Sequence, residues 1–493
     1  MKLSLPAPYN LYVNQFASFF NKAGYKLYLV GGACRDIILN RGCYDFDFST
    51  DATPESVVQI FKRTRYKVIE TGLKHGTVTV RFKGNNFEVT TFRIDGDYQD
   101  SRHPDQVNFN ASLEEDLSRR DFTINAFAAQ IDSTKDAATF LEVVDLFGGL
   151  EDIKKKQLKA IGDPTLRFSE DALRILRLFR FMSQLDFEID NESLKAASAL
   201  ASNLEKISFE RKQIELKKIM LSHNPFKALE SMHTSGVLNY LLPELSACYG
   251  IMQNHHHSYD VFYHTLYTVQ FAVKLTRPML DKADGLDKKD EAKDILINKA
   301  LNIRLAALCH DLGKPPTMAY KKTVNGVKEY SFHNHQSHSA KIAANILGRL
   351  KFPNATIAQV TKLVQEHMIL GCKNWSLVQI KKFIVRVGKE NIEPLYYEIL
   401  ADRRAHLKDG STPIDDLEYL FATIKKIISD NQPIEIKDLK IDGKKIICLG
   451  CPPGKMVGQI LNRLLEAVLE NKDLNQPEKL KALATDFIKN SIN

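Results

Sequence analysis

The sequence predicts an α+β protein in which a mixed α/β head is followed by an all-α remainder. Three observations predict this class. Short strand-like runs bounded by glycine fill the first 150 residues, long amphipathic patterns take over after Gly149, and 493 residues exceed what one hydrophobic core holds. We expect four domains: a head over residues 1–150, a helical neck over 151–223, a helical body over 224–425 and a helical tail over 426–493.

The first elements of the head follow from its apolar patterning. Helical periodicity predicts helices over Leu11–Phe20 and Ala33–Leu39, and the apolar run Lys26–Val30 predicts a strand between them. That strand stops at Gly31-Gly32. Because glycine has no Cβ, the backbone N–H groups of such a turn can approach a triphosphate closely.

Two aspartates lie on the next predicted strand. Asp45-Phe46-Asp47-Phe48 alternates with period two, which places both carboxylates on one face and both rings on the other. Carboxylates at i and i+2 can hold a pair of Mg²⁺ ions, one activating a 3′-hydroxyl and the other steadying a leaving pyrophosphate. The competing interpretation is a pair of solvent-facing residues on an edge strand; it is weakened by the upstream residues Gly31, Gly32, Arg35 and Asp36.

A third carboxylate is expected from a neighbouring hairpin. The strand-like runs Thr77–Phe82 and Phe87–Ile94 flank Gly84-Asn85-Asn86, which is a hairpin signal. Glu88 lies in the second run, and a carboxylate on an inner strand needs a partner. Glu88 is therefore the candidate that completes the carboxylate site.

Amphipathic helices dominate the chain after residue 150. They are predicted over Phe168–Met182, Glu210–Leu221, Lys299–His310, Ser337–Leu350 and Thr356–His367. Proline-containing breaks near Asp163-Pro164, Asn224-Pro225 and Gln432-Pro433 mark candidate boundaries. The charged segment Asp281–Asp294 is expected to be a surface loop or a solvated helix end.

Bulk composition indicates a cytoplasmic protein with no membrane segment. The chain has neither a charged start followed by an apolar run nor an 18-residue apolar stretch, and its seven cysteines are scattered, which is typical of reduced thiols. Cys448 and Cys451 form a lone CxxC, so a zinc ribbon is not expected. The net charge of +8 suits a polyanionic partner and equally suits an ordinary basic surface, and the oligomeric state stays open.

A second group of chemically competent residues lies in the predicted body. His310-Asp311 ends an apolar helix, with His264 upstream and with His335, His367 and Asp402 downstream. Imidazoles and carboxylates bind one or two divalent metals, and a bound water then becomes a nucleophile at neutral pH. The set resembles the HD superfamily of metal-dependent phosphohydrolases and leaves the metal's identity open. His255–His257 has no ligand spacing and is interpreted as a polar loop.

An ordered series of motifs resembles the polymerase-β-like nucleotidyltransferase superfamily, in its CCA-adding and poly(A)-polymerase branch of bacterial and eukaryotic type. The stretch LVGGACRDIILNRGCYDFDFST resembles the first motif of that branch. The resemblance spans roughly residues 27–216 and resumes in the helical C-terminal part. The further matching stretches are TGLKHGTVTV, EVTTFRIDGDYQDSRHPDQVNF, RRDFTINA, DPTLRFSEDALRILR and ISFERKQIEL.

The resemblance implies roles for individual residues. Asp45 and Asp47 would bind catalytic Mg²⁺ with support from Glu88. The residues that would handle the ribose and phosphates of a nucleotide are Arg119, Arg120, Asp121 and Asn125; a capped, solvated helix start is the alternative. Glu170, Asp171 and Arg174 match an EDxxR motif that acts as an amino-acid template for C or A, with Asp171 and Arg174 expected on one helix face. The alternative there is a surface salt bridge. Arg177 and Arg180 would face the triphosphate or the tRNA, and a solvated face is equally compatible.

The polar segment Asp95–Phe109 matches a loop that related enzymes need to switch from CTP to ATP. This chain has Arg102-His103-Pro104 where relatives often have Arg-Arg-Pro, which leaves the details of the loop open. In relatives the HD module is linked to phosphatase and 2′,3′-cyclic phosphodiesterase activities.

Together these features predict a template-independent enzyme that adds CCA to the 3′ end of tRNA from CTP and ATP. A related polymerase, either an A-adding tRNA nucleotidyltransferase or a poly(A) polymerase, is the first alternative. A regulatory nucleotidyltransferase–HD protein is the second. TGLKHGTVTV and the HD module favour synthesis of a tRNA end over poly(A) synthesis, whereas full CCA addition and A-only addition both remain open.

Overall fold

The chain folds into two compact units, Met1–Leu241 and Leu242–Asn493. This computed structural model describes residues 1–493 except 43–45, 71, 74–75, 96–106, 110, 132–140, 254–257, 288–289, 325–326, 370, 409 and 493. The finer division into head, neck, body and tail stays a prediction. No helix among the described residues is both long and apolar enough to cross a membrane.

The first unit begins with strands and ends with helices. Its elements are β1 (Lys2–Leu3), α1 (Tyr9–Lys22), β2 (Leu27–Val30), α2 (Gly32–Ile38), β3 (Asp47–Thr50), α3 (Pro54–Phe61), β4 (Lys67–Ile69), β5 (Thr77–Phe82), β6 (Asn85–Thr91), β7 (Ile94–Asp95), β8 (Val107–Asn108), α4 (Leu113–Ser118), β9 (Phe127–Gln130), β10 (Leu141–Asp145), α5 (Gly149–Lys155), β11 (Gln157–Leu158), α6 (Pro164–Glu170), α7 (Leu173–Leu185), β12 (Glu188–Ile189), α8 (Asn191–Ala199), α9 (Phe209–Met220), α10 (Pro225–Thr234) and α11 (Leu238–Leu241).

A mixed sheet organises the head, in the order β1-β10-β9-β2-β3-β6-β5-β4. Strand β3 lies between β2, to which it is antiparallel, and β6, to which it is parallel. An aromatic core packs around Phe16, whose ring contacts Phe48 and Phe87 at centroid distances of 5.3 and 5.0 Å. The strand of the predicted aspartate pair is therefore central rather than an edge strand.

The predicted hairpin forms, and its turn is shorter and begins one residue earlier than expected. Phe82 pairs directly with Asn85, so the two turn residues are Lys83 and Gly84. Both have positive φ, +47° and +83°, as a two-residue turn of type I′ requires. The second strand consequently begins at Asn85 and not at Phe87.

Helices make up most of the second unit. Its elements are α12 (Pro243–Ser246), α13 (Val261–Asp284), α14 (Glu291–Cys309), α15 (Lys314–Thr317), β13 (Met318–Val324), β14 (Val327–Phe332), α16 (His335–Arg349), α17 (Asn354–Glu366), α18 (Leu377–Val387), α19 (Lys389–Ala405), α20 (Asp415–Ser429), α21 (Gly443–Cys448), α22 (Lys455–Glu470) and α23 (Pro477–Ile492). The last three helices share a hydrophobic core that includes Ile460, Leu464 and Leu480.

The predicted α+β class is confirmed, but the part after residue 150 is not purely helical. Strands β11 and β12 form a short parallel pair, and β13 and β14 form an antiparallel hairpin. The hairpin alternates polar with aromatic residues at a partly exposed surface, so its apolar signal is weak. Its position matters because it immediately precedes His335.

Candidate active sites

The carboxylates of Asp47 and Glu88 occupy neighbouring positions on one sheet face. Asp47 is the first residue of β3 and pairs in register with Glu88 of β6. Residues paired in register point to the same side of a sheet. Both carboxylate residues are exposed, whereas Phe46 and Phe48 are buried on the opposite side. The predicted partner Asp45 lies outside the described residues.

A glycine turn lies beside this carboxylate face. Val30, the last residue of β2, pairs with Asp47, and Gly31 follows it with φ of +70°. A Cβ at Gly31 would lie 2.6 Å from Nη1 of Arg120, so a larger residue would be strained and would also displace that guanidinium. Gly32 is less constrained, since its Cβ would lie 3.4 Å from Nη2 of Arg35.

One hydrogen-bonded chain joins Arg35, Asn125, Asp121 and Arg177, of which the first three are buried and Arg177 is partly exposed. Arg35 Nη1 donates to Asn125 Oδ1 at 2.5 Å, Asn125 Nδ2 donates to Asp121 Oδ1 at 3.0 Å, and Arg177 Nε donates to Asp121 Oδ2 at 2.7 Å. Burial raises the pKa of Asp121, but Arg177 and Asn125 lower it more, to about 2. The carboxylate therefore stays ionised and fixes both guanidinium groups.

Arg119 and Arg120 follow the end of α4 and share an acidic partner. Arg119 Nη2 lies 2.7 Å from Asp116 Oδ1, and Arg120 Nη2 lies 3.6 Å from Asp116 Oδ2 and 3.5 Å from Ser49 Oγ. Asp116 is fully buried, so these residues are not the solvated helix start that was considered as an alternative. Ser49 is two residues after Asp47 on β3, which places the Arg120 guanidinium beside the carboxylate face.

The EDxxR residues do not share one helix face, which corrects the sequence-based expectation. The predicted helix Phe168–Met182 is broken: α6 ends at Glu170, Asp171 is extended with φ −145° and ψ 102°, and α7 begins at Leu173. Asp171 Oδ1 accepts from the Leu173 N–H at 3.0 Å. Aspartate favours such capping positions, and this preference explains the break.

Asp171 and Arg174 are nevertheless each held by a definite partner. Arg174 Nη1 donates to Glu170 Oε2 at 2.5 Å, while its Nη2 donates to the Arg119 carbonyl at 3.2 Å. Asp171 Oδ2 accepts from Arg211 Nη2 of α9 at 2.7 Å. Glu170 therefore contacts Arg174, whereas Asp171 pairs with Arg211, a residue that the sequence does not single out.

The sequence analysis also did not predict that three arginines cluster around the buried ring of Phe181. The guanidinium groups of Arg35, Arg177 and Arg180 lie 5.0, 5.5 and 4.0 Å from the centroid of its ring. Arg180 is 7% exposed and pairs with buried Glu215 at 2.6 Å, so it does not belong to a solvated face. The stretch ISFERKQIEL contains Arg211 and Glu215 and was the available signal for both partners.

The predicted histidines and aspartates of the body come together in a second, buried centre. His264 comes from α13, His310 and Asp311 follow α14, His335 begins α16, His367 follows α17 and Asp402 lies on α19. They form two groups of potential metal ligands, whose donor atoms lie within 4.8 Å of one another inside each group: His264, His310 and Asp402, and then Asp311, His335 and His367. The loop residues His255–His257 lie outside the described residues.

Backbone carbonyls orient these imidazoles. Nδ1 of His310, His335 and His367 lies 2.8, 2.8 and 2.7 Å from the carbonyl oxygen three residues earlier. Because a carbonyl only accepts, each Nδ1 carries a proton, and in the neutral imidazole each Nε2 offers its lone pair to the centre. Metal-binding histidines in proteins are commonly oriented in this way.

The charges of the centre also suit a cation. Burial lowers the pKa of His310, but Asp311 and Asp402 raise it well above its usual value overall. Burial and the charge of His310 lower the pKa of His367 to about 3. Nε2 of His335 is buried without a hydrogen bond among the described residues. A set of imidazole and carboxylate donors with a net demand for positive charge fits a divalent transition metal or Mg²⁺.

Two further side chains belong to this centre. Lys314 Nζ lies 2.6 Å from Asp311 Oδ2 and donates to Gln253 Oε1 at 2.5 Å. Glu398 lies one helical turn before Asp402 on α19 and is fully buried, and burial raises its pKa well above the usual value. A cavity of about 880 Å³ opens onto the centre and is lined by Lys314 and four of the predicted ligands, Asp311, His335, His367 and Asp402.

Four family models match the chain in order. They are the poly A polymerase head domain over residues 27–159, the probable RNA and SrmB-binding site of polymerase A over 186–249, the HD domain over 261–372 and the tRNA nucleotidyltransferase domain 2 over 331–484. Fold and sites thus define a nucleotidyltransferase head joined to an HD domain.

Known proteins narrow this class. The "CCA-adding enzyme" of Limosilactobacillus reuteri is 47% identical over 219 residues, which cover 44% of this chain and 51% of that protein. The one of Enterococcus faecalis is 48% identical over 204 residues, 41% of this chain and 47% of that protein. The chain therefore spans about half the length of the curated relatives it matches. Its head is similar to the head domain of poly A polymerases, residues 261–372 match the HD domain, and the curated relatives it matches over part of their length are CCA-adding enzymes.

Solved structures agree over nearly the whole chain. The Bacillus stearothermophilus CCA-adding enzyme in complex with CTP superposes with a TM-score of 0.68 at 26% identity and 99% coverage of both chains. The Thermotoga maritima CCA-adding enzyme complexed with tRNA shares the fold, with a TM-score of 0.57 at 20% identity over 98% of this chain and 96% of that one.

Proposed function

We propose that the chain adds CCA to the 3′ end of tRNA from CTP and ATP, without a nucleic-acid template and in the cytoplasm. The observation that carries the proposal is the paired carboxylate face of Asp47 and Glu88 beside the Gly31 turn. Relatives crystallised with CTP and with tRNA support the choice of substrates.

Each side chain at the carboxylate face has a task in this reaction. Hard oxygen donors suit Mg²⁺, so Asp45, Asp47 and Glu88 would hold it, and the ion would supply charge stabilisation for the 3′-oxygen and the pyrophosphate. Arg120, which contacts Asp116 and Ser49, would bind phosphate oxygens. Asn125 would donate to or accept from the ribose, Asp121 would accept from it, and Arg35 and Arg177 would hold that pair in place.

Glu170, Asp171 and Arg174 would read the base. An aspartate accepts from the exocyclic amino group of C or A, and a guanidinium donates to a ring nitrogen or carbonyl. Glu170 fixes the plane of Arg174, and Arg211 would position Asp171 until the base amino group replaces it. G and U present the opposite pattern, so they would leave buried polar groups unpaired.

Full CCA addition and A-only addition differ in which tRNA 3′ ends the enzyme can extend. Three tRNA transcripts, ending before the first C, after both Cs and after CCA, are offered CTP and ATP separately. Extension of the first by CTP and of the second by ATP supports the proposal. Extension of the second transcript alone identifies an A-adding enzyme. Repeated addition of A identifies a poly(A) polymerase, and labelling of a protein in place of RNA identifies a regulatory enzyme.

Shortening the segment 95–104 is expected to depress addition of the terminal A and to leave C addition largely intact. The reason is its resemblance to the loop that related enzymes need to switch nucleotides; residues 96–106 lie outside the described part of the structure. Single-turnover rates with CTP and ATP on matched transcripts measure the effect. Equal loss of both rates would contradict it.

We further propose that the HD centre is a metal-dependent phosphohydrolase, because five of its six candidate ligands are buried and backbone carbonyls orient three of its histidines. Substrates would be tRNA ends carrying a 2′,3′-cyclic phosphate or a 2′-phosphate. A water oxygen would bond to phosphorus, one P–O bond would break, and the leaving ribose oxygen would take a proton. A bound divalent metal would supply the activation of that water.

Replacing His310 and Asp311 by Ala is expected to remove metal binding and hydrolysis while CCA addition survives. The HD ligands lie in the second compact unit, and the carboxylate face lies in the first. Bound metal is measured by mass spectrometry, and hydrolysis is assayed with Mn²⁺, Mg²⁺, Ni²⁺, Fe²⁺ and Zn²⁺. Exposed His338 on α16 gives the matched control His338→Ala.

Thermal melting checks that the double variant folds, because both residues are buried. A wild-type protein that hydrolyses neither phosphate with any of these metals would leave the HD domain a structural body. Loss of CCA addition in a folded double variant would contradict the independence of the two centres.

A further inference from the structure

A β-hairpin forms one wall of the HD cavity. Strands β13 and β14 lie between α15 and α16, and Met318 pairs with Phe332 at their base. The register shifts between Tyr320 and Lys322, so Lys321 lies at a bulge. Such bulges commonly redirect a side chain. Lys321, Tyr330, Ser331, Phe332 and His333 from this hairpin and its end line the cavity.

The hairpin is directly connected to the metal centre. The Phe332 carbonyl accepts from Nδ1 of His335 at 2.8 Å, so the last strand residue orients a predicted ligand. The Lys314 ammonium, which pairs with Asp311, lies 5.8 Å from the centroid of the Phe332 ring. A ligand that contacts this wall is therefore next to Asp311 and His335, two of the candidate metal ligands.

The cavity is larger and more apolar than a phosphate requires. Its volume is about 880 Å³, within the range of sites that enclose a drug-sized ligand. Met368, Ile369, Leu407 and Pro413 add apolar lining to that of Tyr330 and Phe332. An aromatic and apolar wall beside a floor of candidate metal ligands and Lys314 suits a molecule with a flat ring at one end and a phosphate at the other.

We propose that the β13–β14 hairpin is the specificity wall of the HD centre, where Tyr330 stacks on the base of the nucleotide whose phosphate is hydrolysed. Lys321 adds positive charge on the same wall. The proposal rests on the phosphohydrolase function proposed above and assigns its selectivity for nucleotides over small phosphate esters to this wall. Stacking on an aromatic ring tolerates any base, so tRNA ends of any sequence are accepted.

The test compares two cyclic phosphates that differ in the presence of a base. Adenosine 2′,3′-cyclic phosphate and glycerol 1,2-cyclic phosphate carry the same five-membered ring ester. Tyr330→Ala is expected to raise KM for the adenosine compound about tenfold or more and to leave that for the glycerol compound unchanged. Tyr330→Phe keeps the ring and is expected to behave as wild type.

Tyr320→Ala is the matched control, because Tyr320 is the cross-strand partner of Tyr330 on the same hairpin but is 61% exposed and does not line the cavity. Calorimetric titration with adenosine 2′-phosphate, against inorganic phosphate, gives a readout independent of turnover. Tyr330→Ala should weaken binding of the nucleotide alone.

The possible outcomes distinguish failure of this inference from failure of the proposed phosphohydrolase function. Hydrolysis of both esters with equal effects of Tyr330→Ala on each, or with no effect on either, overturns the specificity wall and keeps the phosphohydrolase. Equal losses in Tyr320→Ala and Tyr330→Ala also overturn it, since the hairpin would then act through its folding alone. If the wild type hydrolyses neither ester, the proposed activity fails, and loss of nucleotide binding in Tyr330→Ala still supports the wall.

Discussion

Replacing Asp47 by Asn lowers the rate of nucleotide addition by at least about 10³-fold, while binding of tRNA is retained. The substitution keeps the size of the side chain and removes the charge that a metal ion requires at this sheet face. Asp47 begins a central strand beside Glu88, and its exposed side chain is not part of the aromatic core, so the head should remain folded. Single-turnover extension and gel-shift binding measure the two properties.

Glu142→Gln is the control for this loss. Glu142 is an exposed carboxylate on β10 of the same sheet, outside the carboxylate face. The Glu142→Gln variant should extend tRNA at the wild-type rate. Substantial turnover by Asp47→Asn, or by Asp45→Ala, would remove the residue concerned from the catalytic role.

Replacing Asp171 or Arg174 by Ala relaxes the preference for CTP and ATP over UTP and GTP by roughly 10- to 100-fold, equivalent to about 1–3 kcal/mol of base discrimination. Once one of these side chains is removed, UTP and GTP no longer leave its polar group unpaired, so the penalty against the wrong bases falls. Relative kcat/KM for the four nucleotides measures the change, and tRNA affinity should move little.

Two variants test whether these residues recognise the base or only stabilise the neck. Arg174→Lys keeps the charge but loses the planar donor set, so it should also lose selectivity. Lys195→Ala, at an exposed position of α8, should leave selectivity unchanged. If all four nucleotides slow equally in Asp171→Ala and Arg174→Ala, these residues hold the neck together and do not read the base.

The elements of the head around the glycine turn and Asp47 could be predicted from sequence because each follows a local rule. Alternation located the strand of Asp47 and glycine located its preceding turn, both within a few residues of the observed bounds. The neck was harder, because Asp171 interrupts a pattern that remains amphipathic on both sides of it. The cap formed by its carboxylate outweighs the periodicity of the flanking residues.

Long-range partners were beyond local reasoning. Arg211 and Glu215 lie on α9, and nothing in their spacing says that they reach Asp171 and Arg180. The body hairpin did have a signal, Asn325-Gly326 between alternating runs, but the surrounding helical patterns obscured it. In contrast, the order and type of the HD residues were sufficient to group six ligands spread over 139 positions, from His264 to Asp402 inclusive.

The C-terminal ends of two helices converge on the HD centre. His310 directly follows α14 and His367 directly follows α17. The aligned peptide dipoles of a helix place partial negative charge at its C-terminus, and here two such ends contribute to one buried pocket. The backbone itself therefore attracts a cation there. A variant that lacks one imidazole should lose metal affinity in part, because the field of both helices persists.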